Sequence, residues 1–157
     1  MSLQKTTKPT LQDFHIEGVS HITPLKALEA VKSGEAILLD VREEYEWKNR
    51  SIALDNVLYH PMSAIIERLK HIPDNTGIIV VCTSGERSSK IANLLNRQGF
   101  PDVANLDGGI KEWIKQGLPY ESNFKMDCGC SPVPIDSETL PPSDSCGCSS
   151  GCGTGCC

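Results

Sequence analysis

The run Ile78-Ile79-Val80-Val81, ended by Cys82, constrains the fold more than any other stretch of this chain. Four consecutive apolar residues, all β-branched, suit a strand buried on both faces, which is the environment of a parallel sheet. After Cys82 the character of the chain changes. Thr83-Ser84-Gly85-Glu86-Arg87-Ser88 contains no bulky apolar residue, and further on Ile91, Leu94 and Leu95 recur at helical spacing until Gly99. The spacing predicts a strand, a short loop and a helix, with the Cys82 thiol at the helix N-terminus. Loop amides and the positive end of the helix dipole favour an anion there and stabilise a thiolate.

The same strand-to-helix rhythm recurs along the chain. Thr23 and Pro24 make an N-cap and first-turn pair for a helix over 24–33, with Leu25, Leu28 and Val31 on one face and Gly34 as the stop. Residues 36–41 form a second buried strand, with Asp40 and Arg42 at its C-terminal end. A short helical turn comes next over 43–47, then a strand over 57–59. A helix over 63–69 turns Ile65, Ile66 and Leu69 inward, and residues 73–75 form a loop. A brief strand over 103–106 and a last helix bearing Ile110, Trp113 and Ile114, closed by Gly117 and Pro119, complete the pattern. Alternation of this kind indicates an α/β fold: a doubly wound, mainly parallel sheet with helices on both faces and its site at the C-terminal ends of the strands. Asp40, Arg42 and Cys82 all belong to such ends.

The chain of 157 residues suits one domain with an appendage. Residues 1–14 read as a polar N-terminal arm, 15–120 as the folded domain and 121–157 as a flexible tail rich in Ser, Pro, Gly and Cys, with too few apolar residues to fold by burial. The N-terminus carries no apolar secretory core, and no run approaches about 18 apolar residues, so a soluble, cytoplasmic protein without a membrane is expected. Most of the net charge of −5 falls in the tail, where five acidic residues face Lys125 alone. The nearly neutral body has no basic stripe, which gives no reason to expect nucleic-acid binding.

Seven of the eight cysteines lie in that tail. In a reducing compartment this partition favours catalysis at Cys82 with metal or sulfur handling behind it, rather than a disulfide framework. Cys128 and Cys130 repeat the one-residue spacing of Cys146 and Cys148, and Cys152, Cys156 and Cys157 lie beyond them. Such spacings hold soft metals in clusters, so zinc, copper(I) and an iron–sulfur centre are the candidates for the tail. The other use of these thiols is to accept sulfur from Cys82. A flexible linker of about 25 residues spans roughly 25–30 Å, and a domain of this size has a radius of gyration of about 14 Å, so the tail reaches the loop. His15, His21, His60 and His71 lie far from these cysteines in sequence and read as surface or satisfied loop histidines.

Three stretches carry a resemblance: LLDVREEYEW (residues 38–47), VVCTSGERS (80–88) and LDGGIKEWIKQGLP (106–119). In this order and spacing they make residues 15–120 resemble the rhodanese-homology family of sulfurtransferases. The resemblance implies that Cys82 takes a sulfane sulfur from a donor, holds it as a persulfide and passes it to a thiol or other nucleophilic acceptor, with no cofactor required. It implies that the amides of Thr83, Ser84, Gly85, Glu86, Arg87 and Ser88 cradle the outer sulfur, that Arg87 adds a fixed positive charge, and that Asp40 and Arg42 buttress the loop. Relatives with one more residue between Cys and Arg are phosphatases and arsenate reductases; the short loop here favours sulfur. Glu86 beside the nest repels a dianion, so weak thiosulfate activity is expected. The competing reading is a metal-binding or regulatory module whose rhodanese-like body recognises partners.

Overall fold

The computed structural model describes residues 3–123, all within one unit, Met1–Lys125. The cysteine-rich segment, with Cys128, Cys130, Cys146, Cys148, Cys152, Cys156 and Cys157, lies outside the described residues, and so does the metal expectation attached to it.

In chain order the elements are β1 (His21–Ile22), α1 (Pro24–Lys32), β2 (Ala36–Asp40), α2 (Glu44–Asn49), β3 (Arg50–Ile52), β4 (Val57–Tyr59), α3 (Ile65–Arg68), β5 (Gly77–Val81), α4 (Glu86–Arg97), β6 (Val103–Leu106), α5 (Gly109–Lys115) and β7 (Tyr120–Ser122). Five strands form one parallel sheet in the order β1-β6-β5-β2-β4. Residues alternate across β5 as the β-branched run demands. Ile79 and Val81 join Leu38, Ala27, Val31, Ile110 and Trp113 on the face covered by α1 and α5. Ile78 and Val80 join Leu39, Ile65, Ile91 and Leu95 on the face covered by α3 and α4. Burial on both faces explains why the central strands read as unbroken apolar runs.

Several local expectations need correction. The helix over 63–69 is three short pieces, with 3-10 turns at Met62–Ala64 and Leu69–His71 around the single turn of α3. Ile65 is buried but Ile66 is 74% exposed, because so short a helix carries only one side chain to the sheet. Leu25 also points outward, and Pro24, Ala27, Ala30 and Val31 bury α1 instead. A second, antiparallel pair, β3 with β7, was not evident from the pattern; it ties residues 120–122 to the body. Asn123 adds hydrogen bonds to the carbonyls of Asn49 and Lys48, so the folded part runs a few residues beyond 120. The described part of the N-terminal arm is likewise built in. Leu3 is buried, Thr6 bridges His21, and Thr10 and Leu11 bind Asp107.

Candidate active site

Cys82 comes directly after β5, and α4 begins at Glu86, so the connecting loop is four residues long. Gly85 closes it with φ of +97°, a left-handed conformation that a side chain would strain. That turn aims the Gly85 N–H at the sulfur. Cys82 Sγ accepts this N–H at 3.1 Å and the Ser88 hydroxyl at 3.1 Å. Both donors stabilise negative charge on sulfur. Among the described residues, no protein acceptor takes the N–H of Ser84, Glu86, Arg87 or Ser88, which leaves these amides for a bound sulfur or anion. The thiol itself is fully buried, against Val80, Ile91 and Leu95, so a reactant must come through the mouth of the loop.

The loop is held from three sides. On the first, the α5 N-terminus reaches over it: Ile110 N–H donates to the Cys82 carbonyl at 2.9 Å and Lys111 N–H to the Thr83 carbonyl at 3.2 Å. Gly109 makes this approach possible. A Cβ there would stand 2.6 Å and 2.7 Å from those same two oxygens.

On the second side stands Glu46, a residue that the sequence pattern does not single out. Glu43 and Glu46 form a capping box at the start of α2, which fixes the Glu46 side chain. Its carboxylate accepts both terminal nitrogens of Arg87 at 2.7 Å and the Thr83 hydroxyl at 2.8 Å. The Arg87 hydrogen bonds, with smaller help from Thr83, hold the Glu46 carboxyl down to about 2, and Glu46 raises Arg87 in turn. Arg87, expected to add a fixed positive charge, is held in an ion pair with Glu46 and clamps the loop to α2, while its charge still interacts with Cys82.

Asp40 and Arg42 are also redistributed. They form a buried, two-pronged ion pair, and Arg42 donates onward to the Arg50 carbonyl at 2.8 Å. The pair braces the end of β2 against β3 and makes no hydrogen bond to the Cys82 loop. A solvated pair is excluded by burial of both side chains.

The third side is the N-terminal segment. The Asp107 carboxylate, almost fully buried at the end of β6, accepts the Thr10 N–H, the Thr10 hydroxyl and the Leu11 N–H. Gln12 then lies against Gly85. Nearby, His21 is completely buried, contrary to the expectation for the histidines; it meets His15 at 2.9 Å and Asn105 at 3.1 Å. Burial lowers its pKa.

Two clefts flank the loop. One of about 400 Å³, beside Thr83, has Ile110 and Ile114 as its apolar floor and Arg50 and Lys111 at its edge. The other, of about 330 Å³ and beside Ser84, carries the carboxylates of Asp13, Glu86 and Glu112. Among the described residues no group of three or more His, Cys, Asp or Glu side chains is arranged to hold a metal ion. Among them, too, no helix is long and apolar enough to cross a membrane.

A family model described as "Rhodanese-like domain" matches residues 23–116. The tRNA uridine(34) hydroxylase of Chlamydia caviae is 32% identical over 145 residues, covering 87% of this chain and 43% of that protein. The protein of the same name in Bacillus pumilus is 31% identical over 99 residues, 60% of this chain and 31% of that protein. The chain thus spans less than half the length of the curated relatives it matches. The first of these matches is long enough that it necessarily includes Cys128 and Cys130. Among solved structures, the rhodanese-related protein of Thermoplasma volcanium superposes with a TM-score of 0.57 at 27% identity, covering 64% of this chain and 96% of that one. Reduced Bacillus anthracis CoADR-RHD gives 0.55 at 28% identity, covering 60% of this chain and 16% of that one.

Proposed function

Because the chain belongs to the rhodanese-like domain family, with residues 23–116 matching its model, we propose that it is a sulfurtransferase that carries sulfane sulfur on Cys82. The observation that carries this reading is the pair of donors on Cys82 Sγ, Gly85 N–H and Ser88 Oγ–H, inside a loop whose remaining amides face no protein acceptor. The Cys82 thiolate attacks the outer sulfur of a donor persulfide, a new S–S bond forms and the donor leaves as its thiolate. An acceptor thiolate then attacks the outer sulfur, and Cys82 leaves as thiolate. Neither half-reaction needs a cofactor or an external oxidant.

Substrate choice depends on charge. With Arg87 paired to Glu46, and Glu86 exposed at the loop mouth, a dianion such as thiosulfate meets little free positive charge. A persulfide of a small thiol or protein fits better. The spacing of Cys82 and Arg87, one residue shorter than in the phosphatase- and arsenate-reductase-type relatives, favours sulfur over phosphoryl or arsenate chemistry. The cleft edged by Arg50 and Lys111 suits the acceptor, and the tail cysteines are further acceptors or, alternatively, ligands for zinc, copper(I) or an iron–sulfur centre.

Intact-mass measurement after incubation with cysteine persulfide tests the reading. Gain of one sulfur atom, absent in Cys82→Ser, supports it. No adduct with any persulfide donor points to the partner-binding module instead.

A second reading is favoured by the relatives' own name: a role for this domain in modifying a tRNA uridine, which departs from the expectation of no nucleic-acid partner. Incubating the chain with undermodified tRNA in air, with dioxygen as the oxidant and a thiol as the reductant that hydroxylation requires, and digesting to nucleosides separates the two. Hydroxylated uridine formed in a Cys82-dependent way, without protein persulfide, would favour tRNA modification.

A further inference from the structure

Gln12 lies outside the matched residues 23–116, in the segment whose composition suggests a polar arm. The three hydrogen bonds from Thr10 and Leu11 to the buried Asp107 carboxylate fix the chain immediately before it. Its own side chain is fully occupied. Oε1 accepts the Gly108 N–H and Asn105 Nδ2, each at 3.1 Å. Nε2 donates to the Phe14 carbonyl at 2.6 Å, and its second hydrogen faces the Gly85 carbonyl and the Ser89 hydroxyl, both at 3.4 Å. The open face of Gly85 is filled by this amide, which a Cβ on Gly85 would strike.

These contacts join the two elements that shape the sulfur site. Gly85 is the peptide whose N–H points at Cys82 Sγ. Gly108 begins the turn whose next amides, on Ile110 and Lys111, hold the carbonyls of Cys82 and Thr83. We propose that Gln12 is a positioning residue for the Cys82 loop, wedging the Gly85 peptide so that its N–H stays on the sulfur. The proposal rests on the sulfur-transfer reading and adds a residue from outside the family match to its machinery.

The two half-reactions respond differently to that N–H. A donor on sulfur stabilises the thiolate, so it assists the step in which Cys82 leaves and tempers its nucleophilicity in the step in which it attacks. Loss of Gln12 therefore slows discharge of the persulfide more than its loading. Removing a preorganised donor outright typically costs about 100-fold or more; loosening one corresponds to about 10-fold in discharge and less than about 2-fold in loading.

The experiment uses the full chain and three proteins: wild type, Gln12→Ala, and Leu3→Ala, which removes buried packing beside Gly77 at the start of β5, away from the Cys82 loop. Each is loaded with cysteine persulfide, then discharged to cysteine in single-turnover mass measurements, with thermal unfolding alongside. Discharge slowed selectively in Gln12→Ala, with Leu3→Ala discharging normally whatever its melting temperature, supports the proposal. Wild-type discharge by Gln12→Ala, or slowing of both variants in proportion to lost stability, overturns it. Alkylation of Cys82 by iodoacetamide, monitored on its own peptide, is a readout independent of sulfur transfer. The pH midpoint of that alkylation should lie higher in Gln12→Ala than in wild type, because the lost N–H donor stabilises the thiolate, and equal midpoints overturn the proposal. If the wild type takes up no sulfur, the sulfurtransferase reading falls, while the alkylation comparison still decides the role of Gln12.

Discussion

Replacing Gly109 with alanine gives the sharpest test of how the loop is held. Gly109 has φ of +63°, where an L-residue pays about 1–2 kcal/mol in steric strain. The new Cβ would also lie 2.6 Å from the Cys82 carbonyl oxygen and 2.7 Å from that of Thr83. Backbone oxygens cannot swing aside as side chains do. They must separate from α5, which loosens the hydrogen bonds from Ile110 N–H and Lys111 N–H, each worth about 1 kcal/mol net. The expected loss is about 3–4 kcal/mol, a large part of the total stability of about 5–15 kcal/mol of an ordinary domain. Gly117 supplies the control. It has a similar φ of +70° but nothing within 4 Å of its Cβ position, so Gly117→Ala should lose only the conformational part, about 1–2 kcal/mol, leaving a difference of about 2 kcal/mol from the two hydrogen bonds. Urea unfolding of the two variants isolates the packing contribution as that difference. Equal destabilisation would refute the claim that α5 clasps the loop through this close approach.

The charges around the loop and the cysteine-rich segment set three further outcomes. Glu46→Gln should destabilise by about 1–2 kcal/mol, as for a partly exposed bidentate pair. Because the Glu46 carboxyl is held below its ordinary value of 4.5, down to about 2, its contribution is present above pH 4.5 and lost as pH falls toward 2. The gap between wild type and Glu46→Gln in acid unfolding should therefore close across that window; a constant gap contradicts the pairing. Glu86→Lys should raise thiosulfate turnover about 5- to 10-fold at low ionic strength, with the gain shrinking in high salt as screening demands. No gain means that the exposed carboxylate does not control donor choice. Metal analysis of anaerobically purified full chain beside a chain ending at Asn123 tests the cysteine-rich segment: stoichiometric metal lost on shortening marks a site there, and metal-free full chain overturns the metal expectation. Asn123 is the proper end point, because it still bonds Asn49 and Lys48.

Legibility in the sequence tracked the range of the interaction. The central strands were readable because burial on both faces leaves an unbroken apolar run, and the Cys82 loop because a Gly-containing polar stretch separates that run from a helical one. Strands β1, β3 and β7 were not, since they are two or three residues long and are defined by pairing with partners far along the chain. Helix α3 failed for a related reason: the apolar spacing of Ile65, Ile66 and Leu69 fits a helix, yet Ile66 points to solvent while Ile65 and Leu69 pack against the core from different short pieces.

The same rule separates the nucleophile from its supports. Cys82, Ser88 and Gly85 lie within seven residues and share one local motif. Glu46 stands 41 positions from Arg87, and Gln12 stands 73 from Gly85. A capping-box spacing marks Glu46 as a helix-start residue and carries no sign of the guanidinium it will meet; a glutamine in a polar segment carries less still. Both become visible only when the sheet order sets α2 and the N-terminal segment on opposite flanks of one loop. That placement has a chemical consequence. Glu46 neutralises Arg87 on one flank, and Gln12 fixes the Gly85 peptide on the other with a neutral amide. The sulfur therefore has two short-range hydrogen-bond donors, and the nearby Arg87 charge is shared with Glu46. On the proposed sulfur-transfer reading, such a site favours a thiolate leaving group while offering a dianion little unpaired charge.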